Sequence, residues 1–174
     1  MSETIYFWRT GEVPYGVFSN WARAPFKPLE GPLFSTAEHY IMWRKAVLFD
    51  DSRSAERALL AVSPAEAKMI GRHVQGFDPD IWLKHRDAIA ECALRLKFGA
   101  HPDMLKVLLD TGDAVIAEAS PVDRVWGIGI DADSARAGEP WRGENVLGKA
   151  LMKVREEFRA LSASENINNE EKGK

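Results

Sequence analysis

The chain has 174 residues, of which 45% are hydrophobic and 28% are charged, and its formal net charge at pH 7 is −3. This length fits one domain with a full-sized core, and the acidic balance argues against a broad nucleic-acid-binding face. The single cysteine, Cys92, excludes a disulfide framework and a cysteine-based zinc site. No signal-peptide pattern and no membrane-length apolar run is visible, so we expect a cytoplasmic protein.

Short strands and helices are predicted along the first half of the chain. Residues 4–8, rich in β-branched and aromatic side chains, predict a strand, and the glycines and prolines of residues 11–32 predict an ordered loop. Ser35-Thr36-Ala37-Glu38 has the spacing of a capping box and predicts a helix to about residue 49. Ser63-Pro64-Ala65-Glu66 repeats that spacing and predicts a short helix that ends at Gly71.

Helices and short strands are also predicted along the second half of the chain. We predict, in order, a helix over 78–99, a helix over 102–112, strands over 115–119 and 126–130, a polar loop over 131–142, and a final helix with an apolar stripe from Leu147 to Leu161. The polar tail over 162–174 is predicted to be disordered. The strands are too few for a doubly wound sheet, so we expect an α+β fold. It would be a single domain over residues 1–161, with a small β-sheet surrounded by about six helices.

The segment Asp123-Arg124-Val125-Trp126-Gly127-Ile128-Gly129 combines a carboxylate, a cation, an indole ring and two glycines. Glycines let the backbone approach a ligand closely, and an indole offers a stacking face. Together with Glu118 and Ser120 just upstream, the segment is interpreted as the floor of a pocket for a flat, polar, anionic small molecule. The alternative is a glycine-rich turn between two strands, with Trp126 in the core.

The sequence lacks the motifs of several common classes of enzyme and metal site. The four histidines do not have the spacing of a metal site, and His85 and Cys92 fall on the apolar stripe of their predicted helix. No P-loop or Gly-x-Ser-x-Gly motif occurs, and Gly127-x-Gly129 lacks the third glycine of a dinucleotide-binding motif. A Ser/His/Asp hydrolase and a Rossmann dehydrogenase are therefore disfavoured.

Glu38 and Lys45 allow two interpretations each. Glu38 either completes the capping box or presents a carboxylate beside a sugar. Lys45, two helical turns later on about the same face, is either a solvated surface lysine or a cation that can become an amine nucleophile when desolvated.

Two further places are candidate phosphate sites. Lys68 and Arg72, four residues apart, either complement the C-terminal dipole of their helix or hold a phosphate. Asn145, within Gly143-x-Asn145-x-Leu147-Gly148, is either a plain helix cap or the edge of an anion site formed by backbone N–H groups.

The ordered set of short motifs resembles the NADAR superfamily, and in particular its YbiA-like N-glycosidases. The motifs that carry the resemblance are Phe18-Ser19-Asn20, Thr36-Ala37-Glu38-His39-Tyr40 with Lys45, Ser63-Pro64, Ala67-Lys68, Gly71-Arg72, Trp82 with Arg86, Lys97-Phe98, Thr111-Gly112, Glu118, Ser120, Asp123, Trp126-Gly127, Gly129, Gly143, Asn145, Leu147-Gly148 and Arg155. They extend over nearly the whole chain.

The resemblance implies hydrolysis of a ribosyl C–N bond. Because the sequence has no histidine or cysteine cluster that could hold a catalytic metal, we expect this reaction to need no metal, and no other cofactor is expected. The expected substrates are phosphoribosyl-pyrimidine intermediates of riboflavin biosynthesis. The alternatives are ADP-ribosylated guanine bases, which would make nucleic acid a partner only as ADP-ribosylated DNA, and binding of ADP-ribose without turnover. No membrane partner is expected, and the oligomeric state is left open.

The residues that carry the resemblance also divide into two expected roles. Catalysis would fall to Glu38, Lys45 and Asp123, and substrate binding to Asn20, Trp21, Lys68, Arg72, Glu118, Ser120, Trp126, Gly127 and Asn145. A carboxylate would stabilise the oxocarbenium-like transition state or activate water. Whether Lys45 forms a Schiff base with the released aldehyde or acts as an acid stays open.

Overall fold

The computed structural model describes the backbone of residues 3–172 and the side chains of residues 3–164. Its fold is α+β, as predicted, and the described residues form seven α-helices rather than about six. The elements are β1 (Thr4–Phe7), α1 (Ala37–Leu48), α2 (Ser52–Leu60), α3 (Pro64–Arg72), α4 (Pro79–Ala100), α5 (Pro102–Asp110), β2 (Val115–Glu118), α6 (Ala132–Arg136) and α7 (Val146–Lys172).

The chain divides into two compact units. The helical unit comprises residues 7–105, and the sheet unit comprises the residues before Phe7 and those from Lys106 on. Among the described residues, no helix is long and apolar enough to cross a membrane.

In the helical unit, α1 contacts α2, α3 and α4. Three of these helices begin at caps that a short polar side chain provides: Asp51 for α2, Ser63 for α3 and Asp78 for α4. The core contains aromatic side chains that contact one another, among them Phe7 with Phe18 and Phe34 with Tyr40. A 3₁₀ turn (Tyr15–Phe18) lies within the loop that was predicted over residues 11–32.

Two predictions for the helical unit need correction. The sequence analysis assigned no element to residues 52–60, which form α2. Gly71 was predicted to end its helix, but α3 continues to Arg72 and its C-cap is His73. A Cβ atom at Gly71 would overlap the Sδ atom of Met42 on α1, so this glycine permits the close approach of two helices.

In the sheet unit, β1 and β2 form a two-stranded parallel sheet, and α7 packs against β2. More than a hundred residues separate the two strands in sequence, as a parallel pair requires a long connection. A small core of Ala117, Ala119, Ile128 and Ile130 forms beside them.

The strand predicted over 126–130 is wrong. The backbone of Gly129 has a φ of 72°, which a strand does not adopt. Ile128 forms two isolated backbone hydrogen bonds: its N–H donates to the carbonyl of Glu118, the last residue of β2, at 2.8 Å, and its carbonyl accepts the N–H of Arg142 at 2.8 Å. The segment is therefore an irregular loop held by two other segments.

Two boundaries in the last third of the chain also differ from the prediction. The polar loop over 131–142 contains α6, whose first turn is capped by Asp131. The backbone of α7 extends to Lys172, through most of the tail that was predicted to be disordered from Ser162. Extending an existing helix avoids the cost of nucleation, and the Ser162 and Ser164 hydroxyls bond to carbonyls one turn earlier. The end of that tail, residues 173–174, lies outside the described residues.

Candidate active site

The first turn of α1 is capped by Thr36 and not by Ser35. The Thr36 hydroxyl accepts the backbone N–H of His39 at 3.4 Å and is bonded to the His39 ring nitrogen Nδ1 at 2.8 Å. The other ring nitrogen is bonded to the Ala61 carbonyl at 3.1 Å. His39 is 2% exposed, so it is a hydrogen-bonded core histidine.

Glu38 is therefore not the carboxylate of a capping box. It lies at the second position of α1, and only 4% of it is exposed. Its backbone N–H donates to the carbonyl oxygen of Asn20 at 2.9 Å, which joins the start of α1 to the loop that follows the 3₁₀ turn. The helix dipole favours a negative charge at this position.

Asn20 is 5% exposed, and its side-chain oxygen Oδ1 is a buried atom without a hydrogen-bond partner. Buried polar atoms in native proteins are nearly always paired, so Asn20 stays a candidate for contact with a ligand. The next residue, Trp21, is 40% exposed, and the Nζ atom of Lys68 lies 6.0 Å from its ring centroid. An exposed indole beside a cation is suited to stacking on a flat base.

Lys45 is half-buried near the end of α1 and donates a hydrogen bond to the carbonyl oxygen of Gly71 at 2.8 Å. Its Nζ atom lies 4.0 Å from the ring centroid of Phe77 and 5.4 Å from that of Trp82. Burial among these groups lowers the pKa of the Lys45 amine below its usual value. The interpretation of Lys45 as a solvated surface lysine is therefore wrong.

Helix α3 connects the surroundings of Trp21 with those of Lys45. Lys68, near the Trp21 ring, and Gly71, which accepts from Lys45, are three residues apart and share one face of α3. On α1, Glu38 and Lys45 are about 10 Å apart along the helix axis. We call the residues grouped in this way the α1–α3 site: Asn20, Trp21, Glu38, Lys45, Lys68 and Gly71.

Arg72 follows Gly71 on α3 and is exposed. Its Nη1 atom lies 3.8 Å from the sulfur of Met69, which is a weak partner for a guanidinium group. Arg72 thus lies next to a residue of the α1–α3 site, and its role in binding phosphate stays a prediction.

In the sheet unit, five predicted residues meet around the loop after β2. The Asp123 carboxylate accepts the backbone N–H groups of Val125 at 3.0 Å and Trp126 at 2.9 Å, which shapes the loop. A Cβ atom at Gly127 would lie 2.7 Å from the Glu118 carbonyl oxygen and 3.1 Å from the Ser120 Cβ atom. The predicted pocket floor is thus a compact cluster in which Gly127 permits the close approach of its neighbours, and its contact with substrate stays a prediction.

The anion site predicted at the start of α7 is not supported. Asn145 is 2% exposed, and its side chain donates to the Ile116 carbonyl at 2.9 Å and accepts from the Glu118 N–H at 3.1 Å. The N–H groups of residues 144–147 donate to the carbonyls of residues 124–127. These donors are already paired within the protein, so the substrate-binding role of Asn145 is replaced by a structural one.

The burial of Lys97 was not predicted. The motif Lys97-Phe98 gave this lysine no expected role, but it is 0% exposed and donates to the carbonyls of Val17 at 2.5 Å and Ser19 at 2.9 Å. The signal that was available is the position of this lysine in the apolar sequence Leu94-x-x-Lys97-Phe98. Among the described residues, no group of three or more His, Cys, Asp and Glu side chains is placed to hold a metal ion.

The NADAR domain model matches residues 6–159 of the chain. The chain belongs to the NADAR family. A NADAR relative, an N-glycosidase of Acanthamoeba polyphaga mimivirus, is 43% identical over 147 residues, covering 81% of this chain and 86% of that protein. The chloroplastic riboflavin biosynthesis protein PYRR of Zea mays is 35% identical over 165 residues, covering 88% of this chain and 25% of that protein.

A solved NADAR structure has the same fold. The NMR structure of the Escherichia coli protein YbiA superposes with a TM-score of 0.76 at 30% identity, covering 94% of this chain and 89% of that one. The family and fold expected from the motif resemblance are thereby confirmed.

Proposed function

We propose that this protein is an N-glycosidase that hydrolyses the ribosyl C–N bond of phosphoribosyl-pyrimidine intermediates of riboflavin biosynthesis. The observation that carries the proposal is that Glu38 is buried at the start of α1, in the segment that is hydrogen-bonded to the loop of Asn20. The mimivirus relative that is named an N-glycosidase supports the reaction class, and the maize relative supports the link to riboflavin.

The reaction breaks the bond between ribose C1 and the base nitrogen. The electron pair of this bond leaves with the base, whose nitrogen takes up a proton, while water adds to C1 and transfers a proton to a carboxylate. Positive charge accumulates on the ribose as the bond breaks, so a nearby carboxylate stabilises the transition state. Glu38 is our first choice for this carboxylate, and Asp123 of the sheet unit is the second.

The other residues of the α1–α3 site fit the remaining needs of this reaction. Trp21 stacks on the pyrimidine, and Lys68 with Arg72 provides positive charge for the 5′-phosphate. The lowered pKa of Lys45 increases the fraction of neutral amine, which is the nucleophilic form. This amine either traps the C1 aldehyde as a Schiff base or, when protonated, acts as the acid for the leaving base.

The proposal is tested by incubating the purified protein with ribosylated pyrimidines that carry or lack a 5′-phosphate, and with ADP-ribosylated guanosine. We expect release of free pyrimidine and ribose 5-phosphate from the phosphorylated pyrimidine. Release of guanine alone would assign the protein to ADP-ribosyl hydrolysis, and binding without release of base would make it a nucleotide-binding module.

Treating the reaction mixture with borohydride distinguishes the two roles of Lys45. Reduction of a Schiff base would attach the sugar covalently to the protein, and the Lys45→Met variant would not be labelled. If the wild-type protein turns over substrate in the presence of borohydride and carries no sugar label, Lys45 forms no Schiff base and its role is that of an acid.

A further inference from the structure

Lys97 is a completely buried lysine whose hydrogen bonds go to backbone carbonyls. It lies on α4, and in the described part of the chain its amine has two hydrogen-bond acceptors, the carbonyls of Val17 and Ser19. Burial lowers the pKa of this amine to about 7. A buried amine is costly compared with an apolar side chain of the same length, so the role of Lys97 depends on what its N–H donors hold in place.

The two carbonyls belong to the residues on either side of Phe18, at the end of the 3₁₀ turn. The next residue, Asn20, is held by a different helix, because its carbonyl accepts the N–H of Glu38 on α1 at 2.9 Å. The loop segment over residues 17–20 is therefore bound to α4 by Lys97 and to the start of α1 by Glu38.

This attachment fixes the position of a side chain whose hydrogen bonds are incomplete. The Oδ1 atom of Asn20 is buried and has no hydrogen-bond partner among the residues that the structure describes. Leaving an acceptor unpaired is destabilising, and it is tolerated where a ligand later supplies the donor. An amide oxygen accepts from hydroxyl and amino groups, which ribose and aminopyrimidines both carry.

We propose that Lys97 is a positioning residue of the α1–α3 site: it fixes the 17–20 loop so that Asn20 Oδ1 accepts a hydrogen bond from an O–H or N–H group of the substrate. The inference rests on the proposed function for the identity of that substrate. The positioning itself is a property of the protein without ligand, so it can be tested separately.

The first experiment uses no substrate and measures amide hydrogen exchange by NMR in Lys97→Met, which keeps the length of the side chain and removes its donors. We expect the Glu38 N–H to exchange about tenfold faster or more, relative to the amides of the sheet unit. The control is Leu108→Ala, a fully buried apolar truncation in the sheet unit. If the exchange rates in Lys97→Met rise equally for all amides, or if the rate of the Glu38 N–H does not rise, Lys97 does not position this loop.

The second experiment titrates ribose 5-phosphate, the sugar product, while the Asn20 side-chain amide resonances are followed. We expect these resonances to shift in the wild-type protein and in Leu108→Ala, and to respond much more weakly in Lys97→Met. Unchanged wild-type resonances at saturation would contradict the contact with sugar hydroxyls. Aminopyrimidine is then titrated in the same way, and a null result with both probes would reject the acceptor role of Asn20.

The third experiment is a double-mutant cycle on kcat/KM with Lys97→Met and Asn20→Ala. If Lys97 acts through Asn20, the double variant loses no more activity than the more impaired single variant. Losses that multiply would mean that Lys97 acts by another route. If Lys97→Met does not fold, Lys97→Gln keeps one amide donor and takes its place in all three experiments.

A wild-type protein without N-glycosidase activity would defeat the proposed function only. The exchange and titration experiments would still decide whether Lys97 positions Asn20.

Discussion

The backbone N–H of Glu38 donates a hydrogen bond to the carbonyl oxygen of Asn20 at 2.9 Å. This contact joins the start of α1, where Glu38 is buried, to the loop that Lys97 holds, where the Oδ1 atom of Asn20 is buried and has no hydrogen-bond partner among the described residues. Thr36, and not Glu38, provides the side-chain cap of this helix.

The first prediction concerns the cap of α1. Thr36→Ala removes the hydroxyl that accepts the His39 N–H, and we expect the free energy of unfolding to fall by about 1–2 kcal/mol. Ser35→Ala is the matched control, because this exposed neighbour is the cap that the sequence predicted; its effect should stay within about 0.5 kcal/mol. Urea denaturation of the two variants measures both changes in the free energy of unfolding. A larger loss for Ser35→Ala than for Thr36→Ala would mean that Ser35 caps the helix, as the predicted capping box requires.

The second prediction concerns the start of α7. Asn145→Ala leaves the Ile116 carbonyl and the Glu118 N–H without their side-chain partner, at a cost of about 1–3 kcal/mol for each buried group. The backbone φ of Asn145 is 53°, which is unfavourable for alanine but not for glycine. Asn145→Gly should therefore lower the free energy of unfolding less than Asn145→Ala does. We expect KM for a phosphorylated substrate to be unchanged in the folded variants. A large rise in KM at normal stability would return Asn145 to the phosphate site.

The third prediction concerns Arg72. Arg72→Ala should raise KM for the phosphorylated ribosylpyrimidine strongly and lower kcat little, because a phosphate contact binds ground state and transition state alike. For the substrate without phosphate, KM should stay the same. Arg57→Ala, which removes an exposed arginine from the last turn of α2, is the control and should change neither constant. Loss of kcat at constant KM in Arg72→Ala would assign this arginine to the chemical step.

The fourth prediction concerns the pH dependence of stability. Lys97 has a pKa of about 7 in the folded protein and an ordinary value of 10.5, so between these values the unfolded chain binds one more proton. The free energy of unfolding should therefore rise with pH across this window, by up to about 1.4 kcal/mol per pH unit from this group. Below pH 7 the contribution is constant and unfavourable.

The measurement is the difference in unfolding free energy between the wild-type protein and Lys97→Met as a function of pH. Other titrating groups largely cancel in this difference, so its slope reports Lys97. A flat difference across the window would mean that the amine stays protonated in the folded state.

Periodicity and local polar signals were sufficient to predict most of the fold. The extents of α1, α3, α4 and α5 follow from caps and apolar stripes that lie within the elements themselves. The errors occur where a tertiary contact decides. Gly71 has the sequence context of a helix end but accommodates Met42. Residues 126–130 have the composition of a strand, but Ile128 is held by single hydrogen bonds to Glu118 of β2 and to Arg142.

The candidate site was predictable in part. The sequence named Asn20, Trp21, Glu38, Lys45 and Lys68, and contacts made by α1 and α3 connect these residues in the structure. Their roles toward substrate stay predictions. Position alone could not show which residue caps α1, because Ser35 and Thr36 are adjacent and both are good caps. The burial of Lys97 was also hidden, since its acceptors lie about 80 residues away in the chain.

The most direct test of the account is kcat for Glu38→Gln on the phosphorylated ribosylpyrimidine, measured together with the thermal midpoint. Glutamine keeps the shape and removes the charge, so we expect kcat to fall by about 10²–10⁴-fold while the midpoint changes less than in Thr36→Ala. Asp123→Asn, examined in parallel, should have the smaller effect on kcat. A Glu38→Gln protein with normal kcat would contradict the account and make Asp123 the leading carboxylate.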